Sequence, residues 1–519
     1  MWQRFLSDPG HLTKDEAWTH RAHHLGLRRD TSLHFIENEP MSAASSSDCN
    51  RRQALATSVE RCFLIAMSTP QCDHYRLVLA PSSTRRILAE QSQRRLRLPR
   101  ISILRWTRAA EQVQAVIEAQ WGLKVVVIDF LGDSSGHDRI VIAELRDGHA
   151  LSSLPHACSW VRLSDIPEDE TSSIERSTIG KLLNDGATGR GTFSRFGWTE
   201  EALNWVSTEA GLDREQFTGD VKQFNAGAAC ALVRFGRKDA LPIWFKSVGD
   251  ESSREFQITT TLARLFPQYL PRLVASREDW NAWWMEDAGQ PLDDVRSPEI
   301  LHHVVLILAE LQKASIRFGS ALLVGGCSDQ RTSTLRARIP QMMEYIHEAM
   351  ASRNLSHTPR LAADRIQEIG SSLDEACLRL EALGIPDTLI HSDLSFENIL
   401  VGPRRSVFTD WAFASVGNPF LNYEHLRVQI AQETRTGRCV PRLAEIYWKS
   451  WRQVLTDSQI ECALALVPPI AVALYLSRKW DWFTSEHRHD PNFQSYVRAM
   501  ARQMEGASQG IERKEVRCA

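Results

Sequence analysis

Four polar residues interrupt apolar sequence between positions 388 and 413: His391, Asp393 and Asn398 within LIHSDLSFENIL, and Asp410 within VFTDWAF. Groups of this kind cost free energy in a core unless each is paired, so their place there points to chemistry rather than packing. Asp393 follows the apolar run TLI, Asn398 precedes the run ILV, and Asp410 closes a third run after the turn GPRRS. Short apolar runs bounded by turn residues predict strands, and a loop held by strands at both ends can aim its polar groups into one cleft. Two carboxylates and an amide are hard oxygen ligands and proton acceptors, the set that magnesium-assisted phosphate chemistry requires. Alone, each residue has an ordinary explanation: His391 as a satisfied core histidine, Asp393 as a turn or helix-capping residue, Asn398 as a turn amide. Their ordered spacing with Asp410 sets them apart.

The order H-x-D-x-x-x-x-N, followed by an Asp in a D-[FW]-x context, resembles the signature of the protein-kinase-like fold. The wording HSDLSFENILV, then TDWAFASVGNP, is similar to the aminoglycoside phosphotransferase (APH) branch of that superfamily. The resemblance covers roughly 200–480. It implies an enzyme that moves the γ-phosphoryl of ATP or GTP to a hydroxyl of a small-molecule acceptor, with Mg2+ as cofactor. By that match Asp393 orients or deprotonates the acceptor hydroxyl, Asn398 and Asp410 hold magnesium, and His391 braces the loop. A cation must also meet the phosphates, and Lys246 at the end of PIWFKSVG stands where the family pattern places it, with Glu255 on the next helix to hold it. Arg254, beside it, should point elsewhere. An ordinary surface pair is the plainer account of Lys246 and Glu255. The stretch WWMEDAGQPLDD resembles the inter-lobe hinge, so Met285, Glu286, Asp287 and Ala288 are expected to line the adenine slot.

The chain departs from the pattern in three places. Gly227 in FNAGAACALV is alone where protein kinases carry three glycines over the phosphates; Ala412 follows D-W where this branch usually has glycine; Asn418 in GNP replaces a common aspartate. The glycine-poor loop keeps an alternative open, a catalytically inactive kinase-like module that binds a nucleotide or a protein. The family accepts aminoglycosides, choline-like alcohols, sugars and amino-acid derivatives, so the resemblance does not name the acceptor. Asp293, Asp294 and Glu424 are acids that would suit a cationic one.

The elements that must position these groups follow from periodicity. Strands are predicted near 221–224, 230–235 and 241–246 as an antiparallel meander, then a helix at 253–266 stopped by Pro267, then mostly helices from 298. The fold class is therefore α+β: a bilobal protein-kinase-like fold with a strand-rich N-lobe at 191–290 and a helical C-lobe at 291–519. A separate small α/β domain at 49–190 precedes it, and 1–48 reads as a tail or linker in which Met41 is a second candidate start. The helix at 109–121 is faintly similar to Nudix folds, but Ala119 and Gln120 stand where that family has paired glutamates, so a non-catalytic role is expected. The basic run RRILAEQSQRRLRLPR reads as a solvated face and GGCSDQR (325–331) as a loop.

Composition excludes several classes. With 61 Lys and Arg against 64 Asp and Glu, the 519-residue chain has a net charge of −3 and no basic field for a polyanion, so nucleic acid is not an expected partner. The ten cysteines, among them Cys62, Cys158, Cys230, Cys327 and Cys462, show no zinc spacing and read as reduced thiols of a cytoplasmic protein. The N-terminus lacks the basic-then-apolar layout of a signal peptide. CALALVPPIAVALYL (462–476) is short for a bilayer and carries Pro468 and Pro469, so a buried helix pair or kinked core helix is expected and no membrane.

Overall fold

The structure is a computed structural model that describes residues 72–92, 95–104, 108–132, 139–146, 157–227, 229–352, 358–403, 405–433, 440–477 and 486–513. The readings for the tail 1–48, for Met41 and for Cys62 lie outside them. The described residues fall into two compact units, one of 72–205 with 214–236, the other of 206–213 with 237–513.

In the first unit β1 (Cys72–Pro81) lies between β4 (Arg100–Leu104) and β6 (Arg139–Leu145), parallel to β6, and β5 (Val125–Leu131) completes this sheet antiparallel to β6. β2 (Arg86–Ser92) pairs with β3 (Arg95–Arg97) and with β7 (Cys158–Arg162). The basic run is therefore strand rather than a plain solvated face: Ile87, Leu88 and Ala89 are buried beneath its arginines. Helix α1 (Ala109–Trp121) buries Ala110, Val113 and Ile117, spaced along one face, and ends because Gly122 takes the left-handed conformation at φ 67°. Helix α2 (Ser173–Asp185) starts on a capping box between Ser172 and Glu175, and α3 (Trp198–Ala210) follows.

The hairpin of β8 (Phe217–Asn225) and β9 (Cys230–Arg237) belongs to this unit up to Gly236, and two amides explain why. Fully buried Gln223 exchanges both side-chain hydrogen bonds with the Val127 backbone, at 2.7 and 2.8 Å, and its N–H donates to Gln114 Oε1 on α1 at 2.8 Å. Each polar atom of the bridge that meets apolar surroundings is thus matched, which makes the attachment specific rather than greasy. Glu111 on α1 is spent on an ion pair with Lys222. Among the described residues no three His, Cys, Asp or Glu side chains gather as metal ligands.

The second unit opens with β10 (Ala240–Val248). Helix α4 (Arg254–Leu265) follows, then β11 (Leu273–Arg277) and β12 (Ala282–Glu286), with β12 antiparallel to both β10 and β11. Next come β13 (Gln290–Pro291), α5 (Pro298–Ser315), α6 (Gly319–Val324), β14 (Ser328–Gln330), α7 (Thr332–Ala351) and α8 (Ala363–Ala382). Four short strands carry the chemistry-bearing motif: β15 (Thr388–Ile390), β16 (Ile399–Val401), β17 (Ser406–Phe408) and β18 (Ser415–Gly417). Helices α9 (Pro419–Glu433), α10 (Val440–Trp451), α11 (Asp457–Ser477) and α12 (Pro491–Arg513) complete the unit. Asn418 Oδ1 accepts from Phe420 N at 3.0 Å and so caps α9, a job that its amide does as well as an aspartate.

Three sequence expectations are corrected here. GGCSDQR is not only a loop, since β14 pairs in parallel with β18. Cys462 is disulfide-bonded, whereas Cys158, Cys230 and Cys327 carry no disulfide, as expected. Of the two alternatives for 462–476, the helix pair is ruled out and the single core helix stands: these residues lie in one continuous helix, α11, with Pro468 and Pro469 inside it. By length and composition α11 could cross a bilayer, but it packs on α8, α9 and α12 and buries Leu466, Val467, Ile470 and Ala473 in the core of the unit.

Candidate functional site

Lys246 sits near the end of β10, where alternation sends it to the same face as Trp244, opposite Ile243 and Phe245. Only 6% of it is exposed. Its Nζ lies 2.5 Å from Glu255 Oε1 on α4 and 3.0 Å from Asp410 Oδ1, and stands 5.7 Å over the Trp283 ring. Glu255 is 1% exposed, so this is a buried ion cluster and not a surface pair. Asp410 reaches the ammonium from a left-handed backbone, φ 65°.

Burial weighs differently on the two acids around Lys246. Burial pushes the Glu255 carboxyl up to about 7, against the pull of Lys246 and helped by neighbouring Asp410. Burial acts upward on Asp410 too, but the attraction and hydrogen bond of Lys246 outweigh it and hold this carboxyl at about 2. Asp410 is therefore the permanent anion. A raised pKa in the folded state means that folding takes up a proton between 4.5, the ordinary value, and about 7, so stability falls as pH rises through that window. The expected result is read as the difference between the wild type and Glu255→Gln: the melting temperature of the wild type relative to the variant declines from pH 4.5 to 7. The Asp410 contribution has the opposite sign and fades only as pH falls from 3.8 towards 2.

The loop between β15 and β16 carries the other groups. Asn398 Nδ2 donates to the Asp393 carbonyl at 2.9 Å, and Asn398 O accepts from Thr409 N at 3.0 Å, so one amide ties the start of the loop to its end and to the strand leading to Asp410. That bond uses the amide nitrogen and turns its oxygen to other work. His391 is 2% exposed; its Nε2 meets Thr409 O at 2.8 Å and its ring packs on Trp411 at 4.3 Å. Burial depresses its pKa despite the nearby Asp393, so the ring is neutral and braces the loop. Asp393 is 8% exposed.

The residues expected to form the hinge divide. Glu286 spends its N–H on Arg272 O at 3.0 Å and its carboxylate on the Arg272 guanidinium. Asp287 accepts from Trp244 Nε1 at 2.9 Å and from Gly289 N at 3.1 Å. Met285 is buried on β12, and Ala288 follows in the crossing where a Cβ on Gly289 would stand 2.2 Å from Val401 O and one on Gly402 2.7 Å from Ala288 O. The two glycines let β13 close on β16 beneath the hinge. Gly227, in the first unit, takes φ 111° with Asp129 as its nearest neighbour: a Cβ there would lie 3.4 Å from Asp129 Oδ1.

Arg254 points away from Lys246 as expected, to Gly326 O and Ser328 Oγ, while sequence reading missed Gln330, Ser392 and Ser415, which hold the site's elements in place. Of these only Ser392 left a trace, as a side chain between His391 and Asp393 where the backbone turns left-handed, φ 53°. The acids proposed for a cationic acceptor are largely neutralised: Glu424 is paired twice with Arg427, at 2.6 and 2.7 Å, and Asp293 with Arg296 at 3.1 Å.

No curated protein matches the chain. Among solved structures it is similar to the choline kinase from Cryptosporidium parvum Iowa II, with 13% identity, a TM-score of 0.42, and coverage of 61% of this chain and 96% of that one. It is also similar to a choline/ethanolamine kinase family protein from Mesorhizobium loti, at 13% identity and TM-score 0.39 over 60% of this chain and 99% of the other. A third likeness is to an aminoglycoside phosphotransferase from Alicyclobacillus acidocaldarius, at 14% identity and TM-score 0.36 over 60% and 96%. Residues 237–422, which contain Lys246, Glu255, Asp393, Asn398 and Asp410, match the model of the phosphotransferase enzyme family, APH.

Proposed function

We propose that the chain is a phosphotransferase that carries the γ-phosphoryl group of ATP or GTP to a hydroxyl of a small molecule. The observation that carries this reading is the buried cluster of Lys246, Glu255 and Asp410, reached through the strands that also anchor Asp393 and Asn398. A lone ammonium held between two carboxylates is costly unless it serves something, and an anionic phosphate is the ligand that it suits.

In this account Lys246 turns from Asp410 to the phosphates when nucleotide binds, while Glu255 keeps the ammonium in place. Asp410 and the side-chain oxygen of Asn398 would hold magnesium as hard donors. Bound there, magnesium would neutralise charge on the phosphates. Asp393 accepts a hydrogen bond from the acceptor hydroxyl and aligns its oxygen with the phosphorus, taking the proton as the new O–P bond forms and the bond to the leaving phosphate breaks. His391 stays neutral and holds the loop. Met285 and Ala288 contact the base, with Asp287 fixing the turn and Glu286 facing Arg272.

The test is transfer from magnesium-ATP or magnesium-GTP across a panel of alcohols that includes amino sugars, choline-like alcohols and amino-acid derivatives. Phosphorylation of one acceptor class supports the reading. Thermal stabilisation by magnesium-nucleotide with no phosphorylated product from any class supports the inactive binding module instead.

A further inference from the structure

The segment GGCSDQR has no part in the mechanism above, yet its strand touches both halves of the site. At the near end of β14, Ser328 Oγ accepts from Arg254 Nη2 at 2.7 Å, and Arg254 Nε also donates to Gly326 O. Arg254 is the first residue of α4 and the neighbour of Glu255. At the far end, Gln330 Oε1 accepts from Ser415 Oγ at 2.8 Å and from Ser392 Oγ at 3.1 Å, and the two hydroxyls lie 2.8 Å apart. Gln330 is 5% exposed and Ser415 fully buried. The strand cannot slide: it pairs in register with β18, Gln330 opposite Gly417, where a Cβ would stand 2.5 Å from Gln330 O.

Ser392 is the point of interest. It precedes Asp393, has φ 53°, and is spanned by a bond from Asp393 N to His391 O of 2.6 Å. An i to i+2 bond over a residue with positive φ is the strained hand of the γ-turn, which side chains other than glycine rarely adopt. Such a turn persists when its surroundings hold it, and here the Ser392 hydroxyl is held by a buried amide and a second hydroxyl.

We propose that Gln330 is a positioning residue: through Ser392 and Ser415 it fixes the γ-turn that aims the Asp393 carboxylate, and β14 ties that aim to the helix bearing Glu255. The inference rests on the role given to Asp393 above. Gln330→Met keeps the length of the side chain and removes its acceptor oxygen. In full-length protein, amide exchange in peptides covering 389–398 should then rise roughly tenfold or more, the scale of losing two hydrogen bonds, while exchange in 366–380 of α8 stays at the wild-type rate. The rate constant kcat should fall with KM for nucleotide unchanged. Because glycine accepts positive φ without strain, Gln330→Met added to Ser392→Gly should cost little further. Wild-type exchange in 389–398 in folded Gln330→Met overturns the proposal, as does a loss that appears only in KM. Should Gln330→Met not fold, Ser415→Ala removes one donor to the same oxygen and carries the same comparison. Faster exchange in 389–398, with no transfer by the wild type to any acceptor, would sink the phosphotransferase reading and leave the positioning role standing.

Discussion

Asp393→Ala is expected to slow phosphoryl transfer by ~10²–10⁴-fold, the range that a positioned acid–base group supplies, with magnesium-nucleotide affinity close to the wild type. The separation of the two effects follows from the loop. Asn398 bonds the Asp393 backbone carbonyl, not its carboxylate, so the bond survives the substitution and the Asn398 oxygen keeps its direction. Lys246 and Asp410 are held by each other and by Glu255, and none of the three leans on the Asp393 side chain in the bonds described. Single-turnover transfer with a saturating acceptor reads the chemical step, and calorimetric titration with magnesium-ADP reads binding. Turnover at the wild-type rate would show that Asp393 is not the group that meets the acceptor.

Lys246→Met should have the largest effect on the fold. The substitution leaves Glu255, 1% exposed, and Asp410 facing each other without their cation. Breaking a buried pair from one side costs about 3–5 kcal/mol because an uncompensated charge stays behind. Denaturant unfolding at neutral pH should show a loss of that size. Lys246→Met combined with Asp410→Asn should recover part of it, since Asp410, the anion of the pair, then has no charge to leave unpaired, but should not recover nucleotide affinity. If Lys246→Met is as stable as the wild type, the cluster is not the buried, coupled unit described here.

The sequence made the chemistry legible before the scaffold. His391, Asp393, Asn398 and Asp410 lie within twenty residues of each other, and polar groups inside apolar runs stand out because burying them is costly. Lys246 and Glu255 were found through the family pattern, and whether they formed a surface pair or a buried one depended on packing that local sequence does not carry. The strands β15, β16 and β17 were readable as apolar runs, and α1 and α5 by helical spacing and, for α1, the glycine that ends it. β14 and β18 were not, because three-residue strands have no period and exist only through each other. Gln330 was invisible for the same reason: it lies 62 residues from Ser392 and 85 from Ser415, and an amide acquires its meaning from partners at that distance. The attachment of β8 to the first unit rests on Gln223 and Gln114, 109 residues apart, and a lone glutamine in a strand gives no hint of it. The disulfide at Cys462 and the strand character of 86–92 ran against composition, one because scattered cysteines look reduced, the other because arginines flanking Ile87 and Leu88 masked a buried face.

The central claim is that Asp410 holds a divalent ion on a nucleotide whose phosphates meet Lys246. Calorimetric titration of ATP into the full chain, with and without magnesium, for the wild type and Asp410→Ala, tests it most directly. The account predicts tight binding by the wild type only with magnesium, and at least tenfold weaker binding by Asp410→Ala, the loss of about 1.4 kcal/mol or more. Equal affinity of the two proteins in magnesium, or wild-type binding that does not depend on the metal, would contradict it.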